Sequence, residues 1–551
     1  MIRVNKRNFH RLKKLFFLML FTPVDGFSSS LCNISDIQKM VPEDTTISSA
    51  SMTAEPVLHC RIEGHIITNN PGPNQVNFRV QLPEDNWSGR YYFIGLGGSA
   101  GYVPSESQVP FGNPLNAGFA VAGTDTGRQG DMLNWDFLAE SEAKVVDHQH
   151  RAAHVTNVAA QKITRSYYGT DKIYRYMSGC SGGGRMTTEA IERHPEDFDG
   201  VIIGAPGGRS SATMMSFIYA AQQMNREPGA WVSPAKLAFT ESKVLEACDD
   251  LDGATDNMIW DHRECQFDIS SLQCTKDQTS ECLTQPEITS INALLEGPQS
   301  PSGPIKVGFP ISNMTTWAGF LGLTPPPWSP IRTMENMKQS SAGFVIASSI
   351  ANVYFHPGFD VINDFDFNNQ ADIEAWWDNV KRVGFGAPYT AELKAYKQSG
   401  GKVILWNGVS DPCCIDTESE EYYQDVAKNV GGSEAVDEFM KFYRVPGMGH
   451  CGGGTGPADA PDKFLEAMIS WVEDDIEPAA IVAHRGKEKA QLIFRNNDNK
   501  QLSGVLIPSP TGESRDFLLC PYPNKSVFSP EKSDSQNSVF DASNWSCRIN
   551  N

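Results

Sequence analysis

The chain has 551 residues, 40% of them hydrophobic and 20% charged, the balance of an ordinary soluble globular protein. That length exceeds one compact domain, so a core with a large insertion or a second domain is expected. A formal net charge of −20, from 66 acidic against 46 basic residues, argues against nucleic acid and against an anionic membrane as the main partner, because both call for a basic surface; no membrane partner is expected.

The chain opens on a basic stretch (Arg3, Lys6, Arg7, Arg11, Lys13, Lys14) followed by an apolar run from Leu15 to Val24. About ten apolar residues are too few to span a bilayer but suit a signal peptide, expected over 1–28 with cleavage between Gly26 and Ser30. The twelve cysteines agree with export to an extracellular or periplasmic space. Close spacing pairs Cys248 with Cys265, Cys274 with Cys282 and Cys520 with Cys547 as disulfides, whereas the paired C-x-x-C spacing of structural zinc is missing. The partners of Cys32 and Cys60 stay open at this stage.

Next come strands at Asn77–Leu82 and Arg90–Ile94, the second running into the glycine-rich turn Gly95–Gly101. A buried strand at Ala117–Gly123 follows, then helical spacing over Val145–Tyr168 and a strand at Ile173–Met177. A tight turn at Gly179–Gly184, a helix at Met186–Arg193 and a buried strand at Val201–Ile203 close the first block. The second block has a strand at Lys402–Trp406, a helix at Ser433–Met440, a strand at Phe442–Val445 and a helix at Lys463–Val472. Strands alternating with helices predict an α/β fold with a mostly parallel sheet. Between the blocks lie residues rich in Pro, Met, Trp and Cys, read as an inserted lid domain over 207–395. Residues 29–206 and 396–551 then form a discontinuous catalytic core, with the tail wrapped around it and a loop at Asp534–Asn544.

Gly179-Cys180-Ser181-Gly182-Gly183 satisfies G-x-S-x-G between a strand and a helix, the setting of a nucleophile elbow on an α/β-hydrolase core. The same five residues resemble the nucleophile loop of chymotrypsin-like proteases, but those are antiparallel barrels with His and Asp ahead of the Ser. A serine nucleophile needs a base, and the base an orienting acid, which in α/β-hydrolases follow as acid and then His. Of eleven His, His450 stands in a glycine-rich loop directly after a strand. Asp411 likewise follows a strand, with Asp416 as a nearby substitute. The N–H groups of Gly182 and of Gly97 or Gly98 are placed to hold an oxyanion. Gly95, Gly97, Ala100 and a downstream Asp125 also make a loose dinucleotide fingerprint, but Pro104, Pro110 and Pro114 leave no room for its helix.

Cys180 precedes the Ser and Cys451 follows the His; bridged, they would clamp the two loops together across nearly half the chain, and free buried thiols are the alternative. The acidic turn Cys248–Asp256 suits Ca²⁺ by composition, without EF-hand spacing; a solvated acidic loop is the other reading.

Taken together, these residues resemble the tannase and feruloyl esterase family. The likeness is densest over Tyr167–Pro206 (YYGTDKIYRYMSGCSGGGRMTTEAIERHPEDFDGVIIGAP), Gly400–Pro412, Gly449-His450-Cys451 and Cys520-Pro521-Tyr522-Pro523. Cys180-Ser181, Asp411 and His450-Cys451 match the family's pattern, which implies a Ser–His–Asp triad with the two Cys bridged beneath it. It also implies a structural Ca²⁺ in the lid, held by the side chains of Asp249, Asp252 and Asp256 and the carbonyls of Ala254 and Met258. The activity implied is hydrolysis of a small-molecule or polysaccharide-linked ester of a hydroxylated aromatic acid. Other aromatic esters, such as monoesters from polyester breakdown, remain alternatives, as does a retired, calcium-stabilised binding protein. Cys413-Cys414, just after the acid, departs from the pattern; a vicinal disulfide there is one reading.

Overall fold

The computed structural model describes residues 29–549 apart from 105–113, 208–209, 277–279, 334–335, 337–338, 487–489, 496–500, 508–513 and 530–537. The signal peptide expected over 1–28, Pro110 and part of the Asp534–Asn544 loop lie outside the described residues. The rest of that loop holds two short 3₁₀ turns.

The centre is a nine-stranded sheet: β1 (Thr45–Thr53), β2 (His59–Thr68), β3 (Asn74–Pro83), β4 (Arg90–Gly95), β5 (Ala120–Thr124), β6 (Tyr174–Cys180), β7 (Gly200–Gly204), β8 (Lys402–Gly408) and β9 (Met440–Val445). Its order is β1-β2-β3-β5-β4-β6-β7-β8-β9. The ladders β1–β2, β2–β3 and β3–β5 are antiparallel, and those from β5 through β9 are parallel. The parallel strands are buried along their length, as sheets covered on both faces require. Helices α1 (Ala152–Tyr168), α2 (Gly182–Arg193), α3 (Asp416–Val430) and α4 (Ala460–Asp474) belong to this core.

Several elements differ from the sequence expectation. The helix expected from Val145 is interrupted by a π turn at Asp147–Arg151, where the Asp147 carboxylate accepts hydrogen bonds from Thr68 and Asn74, both 2.7 Å. The helix expected over Ser433–Met440 ends at Asp437, because Phe439 O accepts from Val403 N at 2.7 Å and Met440 already pairs with β8. β1, β2 and α3 have no counterpart among the expected elements: Ser, Thr, His, Arg and Glu dilute the apolar alternation of the two strands, and α3 is rich in charged residues.

Between β7 and β8, the helices Ser210–Asn225, Pro234–Cys248 and Gln285–Glu296 share a second core containing Met224, Leu237, Val244, Ile291, Trp317 and Trp328. Two later helices, Ala342–Tyr354 and Gln370–Val383, bury Ile346, Tyr354 and Trp376 in the main core, so the insertion is rooted in the sheet domain. In the tail, Ile481–Arg485 pairs with Arg515–Leu519 and Asn524–Phe528 with Trp545–Ile549.

Candidate active site

β6 delivers Ser181 to a sharp bend. Its φ of 60° and ψ of −124° lie where side chains are rarely found, and α2 starts at the next residue. The flanking glycines are there because the bend packs backbone on backbone. A Cβ on Gly179 would stand 2.5 Å from the Gly183 carbonyl, and one on Gly183 2.3 Å from Gly95 O. A Cβ on Gly182 would meet Gly98 O at 2.1 Å. The loop after β4 therefore lies against the first turn of α2. At that turn the Gly182 N–H has no intrahelical acceptor. Gly98 takes a positive φ of 59°, and Ser99 N donates to Met132 O at 2.8 Å.

Sequence reasoning missed the side chain that braces this loop. Buried Arg128 donates to the carbonyls of Ser99, Asp131 and Asn134, each at 3.2 Å, and to the Ser99 hydroxyl. It lies over Phe137, 4.4 Å from the ring centroid. Burial lowers its pKa to about 10, leaving it charged at neutral pH.

The structure brings Asp411 and His450 together. Gly408 ends β8 where a Cβ would lie 2.3 Å from Met448 O, so the acid loop and the His loop touch through backbone. Ser410 N donates to Met448 O at 3.0 Å. The fully buried Asp411 carboxylate accepts from Cys413 N at 2.8 Å and Cys414 N at 3.1 Å through one oxygen. Its other oxygen lies 2.9 Å from His450 Nδ1. Burial would lower the imidazole pKa, but the charge and hydrogen bond of Asp411 outweigh it and raise it to about 9. Asp416, the substitute, faces elsewhere: it takes Arg444 Nε at 2.6 Å and His262 Nε2 at 3.0 Å. Despite burial, those partners hold its pKa at about 2.

A disulfide joins Cys180 to Cys451 over a separation of 271 residues, with Cα atoms 5.8 Å apart. The bridge thus ties the residue before Ser181 to the residue after His450. Phe320 of the insertion stands edge-on to the His450 ring at 5.6 Å and stacks on Phe217 at 5.3 Å. This aromatic pair had no signal in the sequence, since nothing marks which insertion residues stand beside His450.

The other expected disulfides are present: Cys248–Cys265, Cys274–Cys282 and Cys520–Cys547, joined by Cys32–Cys60. Cys413 and Cys414 are not bridged; their buried sulfurs are 3.5 Å apart. Cα atoms joined by a trans peptide are about 3.8 Å apart, below the usual disulfide range, and both N–H groups are committed to Asp411.

In the acidic loop, Asp249 accepts backbone N–H bonds from Asp256 (3.2 Å), Asn257 (3.0 Å) and Met258 (2.8 Å). Asp256 pairs with Arg515 of the tail through one oxygen, while its other oxygen is buried without a hydrogen-bond partner. Burial and the neighbouring Asp256 and Asp249 charges push Asp252 up to about 8. Three carboxylates against one guanidinium, with an orphaned buried oxygen, suit a hard cation. Among the described residues no helix is long and apolar enough to cross a membrane.

The family model for tannase and feruloyl esterase matches residues 60–547. Feruloyl esterase B of Aspergillus niger is 30% identical over 456 residues, covering 79% of this chain and 81% of its own. An uncharacterized esterase of Xanthomonas campestris is 27% identical over 566 residues, covering 94% and 91%. Among solved structures, feruloyl esterase B from Aspergillus oryzae superposes with a TM-score of 0.75 at 22% identity, covering 95% of this chain and 100% of that one. Tannin acyl hydrolase from Aspergillus niger gives 0.73 at 19%, covering 95% and 96%. These two likenesses speak for the fold, which is that of the α/β-hydrolases. The chain belongs to the tannase and feruloyl esterase family, and it is a carboxylic ester hydrolase.

Proposed function

We propose that the chain is an exported serine esterase acting on esters of hydroxylated aromatic acids, with Ser181 as nucleophile, His450 as base and Asp411 as orienting acid. One observation carries this reading: the Asp411–His450 pair is tied by the Cys180–Cys451 bridge to a serine held at a strained bend. Ser181 Oγ attacks the ester carbonyl as neutral His450 Nε2 takes its proton. Asp411 holds the Nδ1 proton and stabilises the imidazolium. The N–H groups of Gly182 and of Gly97 or Gly98 receive the oxyanion. Protonated His450 then releases the alcohol or phenol, and water, deprotonated by the same imidazole, frees the acid.

Residues 207–395 act as the lid, and Phe320 with Phe217 supports an aromatic acyl group beside His450. Asp249, Asp252 and Asp256, with the carbonyls of Ala254 and Met258, would hold Ca²⁺, which would neutralise the loop and stiffen the lid. The five disulfides and the basic–apolar leader support export.

The test compares wild type with Ser181→Ala on methyl ferulate and methyl gallate. Wild type is expected to hydrolyse one or both, and the variant to lose at least about 10⁴-fold in kcat. The wild-type rate ratio assigns feruloyl esterase or tannase specificity. Folded, calcium-loaded wild type that cleaves neither ester overturns the phenolic-ester reading.

A further inference from the structure

Among the described residues, Cys413 and Cys414 are the free cysteines of a chain that bridges five other pairs. Their sulfurs and a ring nitrogen of His450 all lie within 4.8 Å of one another. We propose that Cys413, Cys414 and His450 form a binding site for a thiophilic d¹⁰ cation, Zn²⁺ or Cd²⁺, whose occupation switches the esterase off.

The donor set carries the assignment. Two sulfurs and an imidazole with a fourth, open position form a recognised tetrahedral zinc set. With a metal–sulfur bond of about 2.3 Å, tetrahedral geometry needs sulfurs about 3.8 Å apart, and here they are 3.5 Å apart. Both thiols are buried and His450 is partly buried, so few water contacts are lost on binding. The two N–H bonds to Asp411 hold the Cys413-Cys414 backbone in place, leaving only side-chain torsions to adjust. Ca²⁺, a hard ion, prefers oxygen donors and does not compete for this site. On binding, each thiol releases its proton to solvent and the sulfur lone pairs bond the metal, with no redox change. The imidazole that ligates is the one assigned above as catalytic base, so inhibition, though not binding, rests on that reading.

The first measurement is a thiol count on unfolded, unreduced enzyme, where two thiols per chain are expected and none would overturn the site. Cd²⁺ is then titrated into folded enzyme in excess Ca²⁺, following the ultraviolet thiolate-to-cadmium band and methyl ferulate hydrolysis together. One equivalent is expected to complete the band and lower activity at least tenfold, with recovery on adding dimercaptosuccinate. Cys413→Ser/Cys414→Ser is expected to lose the band and to need at least 100-fold more Cd²⁺ for half inhibition, relative to its own metal-free rate. A missing band in folded wild type, or equal half-inhibition in both proteins, overturns the proposal. Should the double variant not fold, Cys413→Ser alone carries the same comparison. A band that forms in wild type lacking ester hydrolysis upholds the metal site and rejects the catalytic reading instead.

Discussion

Two buried carboxylate sites in this molecule are satisfied by the chain to different degrees. Asp411 receives two N–H bonds from its own loop and a third contact from His450, so its charge is satisfied by the chain itself. In the acidic loop, Asp256 keeps an orphaned buried oxygen beside Arg515, and Asp252 is pushed up to about 8. In the proposed role of orienting acid, Asp411 must stay ionised and in place through every turnover, and preorganised donors suit that role. If the acidic loop takes the proposed cation, loop and cation would fold as a unit, and its stability would be conditional on that ion.

The sharpest way to break this comparison is to neutralise each acid in turn. Asp411→Asn is expected to lower kcat by about 10⁴-fold with intact folding, because the imidazole loses its orienting partner. Asp256→Asn is expected to do the reverse: ester hydrolysis per folded molecule stays within a few-fold, and thermal melting shows a loss of calcium-dependent stabilisation. Equal kinetic damage from both would show that the two sites are not separate in role.

Cutting the bridge tests how far preorganisation depends on the disulfide. Cys180→Ala/Cys451→Ala is expected to lose about 100-fold in kcat as Ser181 and His450 drift apart, and about 2–5 kcal/mol of stability. Stopped assays and denaturant titration read the two effects separately. A smaller expected effect is that of calcium on the lid. Ligand at about 100 times its Kd stabilises by about 2.7 kcal/mol, so chelation should lower the melting temperature of wild type but much less that of Asp252→Asn.

The mildest perturbation is pH. The pKa of His450 is raised to about 9, and as the proposed base it must be neutral to accept a serine proton. kcat/KM should therefore climb about tenfold per pH unit on the acid side and level off near that value. The same limb should move toward the ordinary imidazole range in Asp411→Asn, because the raising charge has gone. A profile already flat through neutral pH in wild type would remove the Asp411 charge as the dominant influence on His450.

Legibility in the sequence followed how local the signal was. The bend at Ser181 was readable because its glycines are required by backbone contacts that any side chain would break. The parallel strands were readable as short apolar runs, and the close cysteine pairs as loops that can shut only on themselves. Less local features failed. β1 is mostly Ser and Thr and β2 mixes His, Arg and Glu with its apolar residues, and the Ser433–Met440 pattern could not reveal that β8 draws Phe439 into the sheet. Nothing in the Arg128 or Phe320 neighbourhoods announces a partner many residues away.

The sequence by itself determined the fold class and the glycine-lined bend at Ser181, and it singled out Asp411 and His450 as candidates, because each rests on neighbours in the chain. Only the tertiary structure decided that Asp411 faces His450 while Asp416 faces Arg444 and His262, that Cys413 and Cys414 stay unbridged beside the imidazole, and that Phe320 walls the site. Those choices depend on loops from β8, β9 and the insertion meeting in space, and a distance across the fold has no local trace in the order of residues.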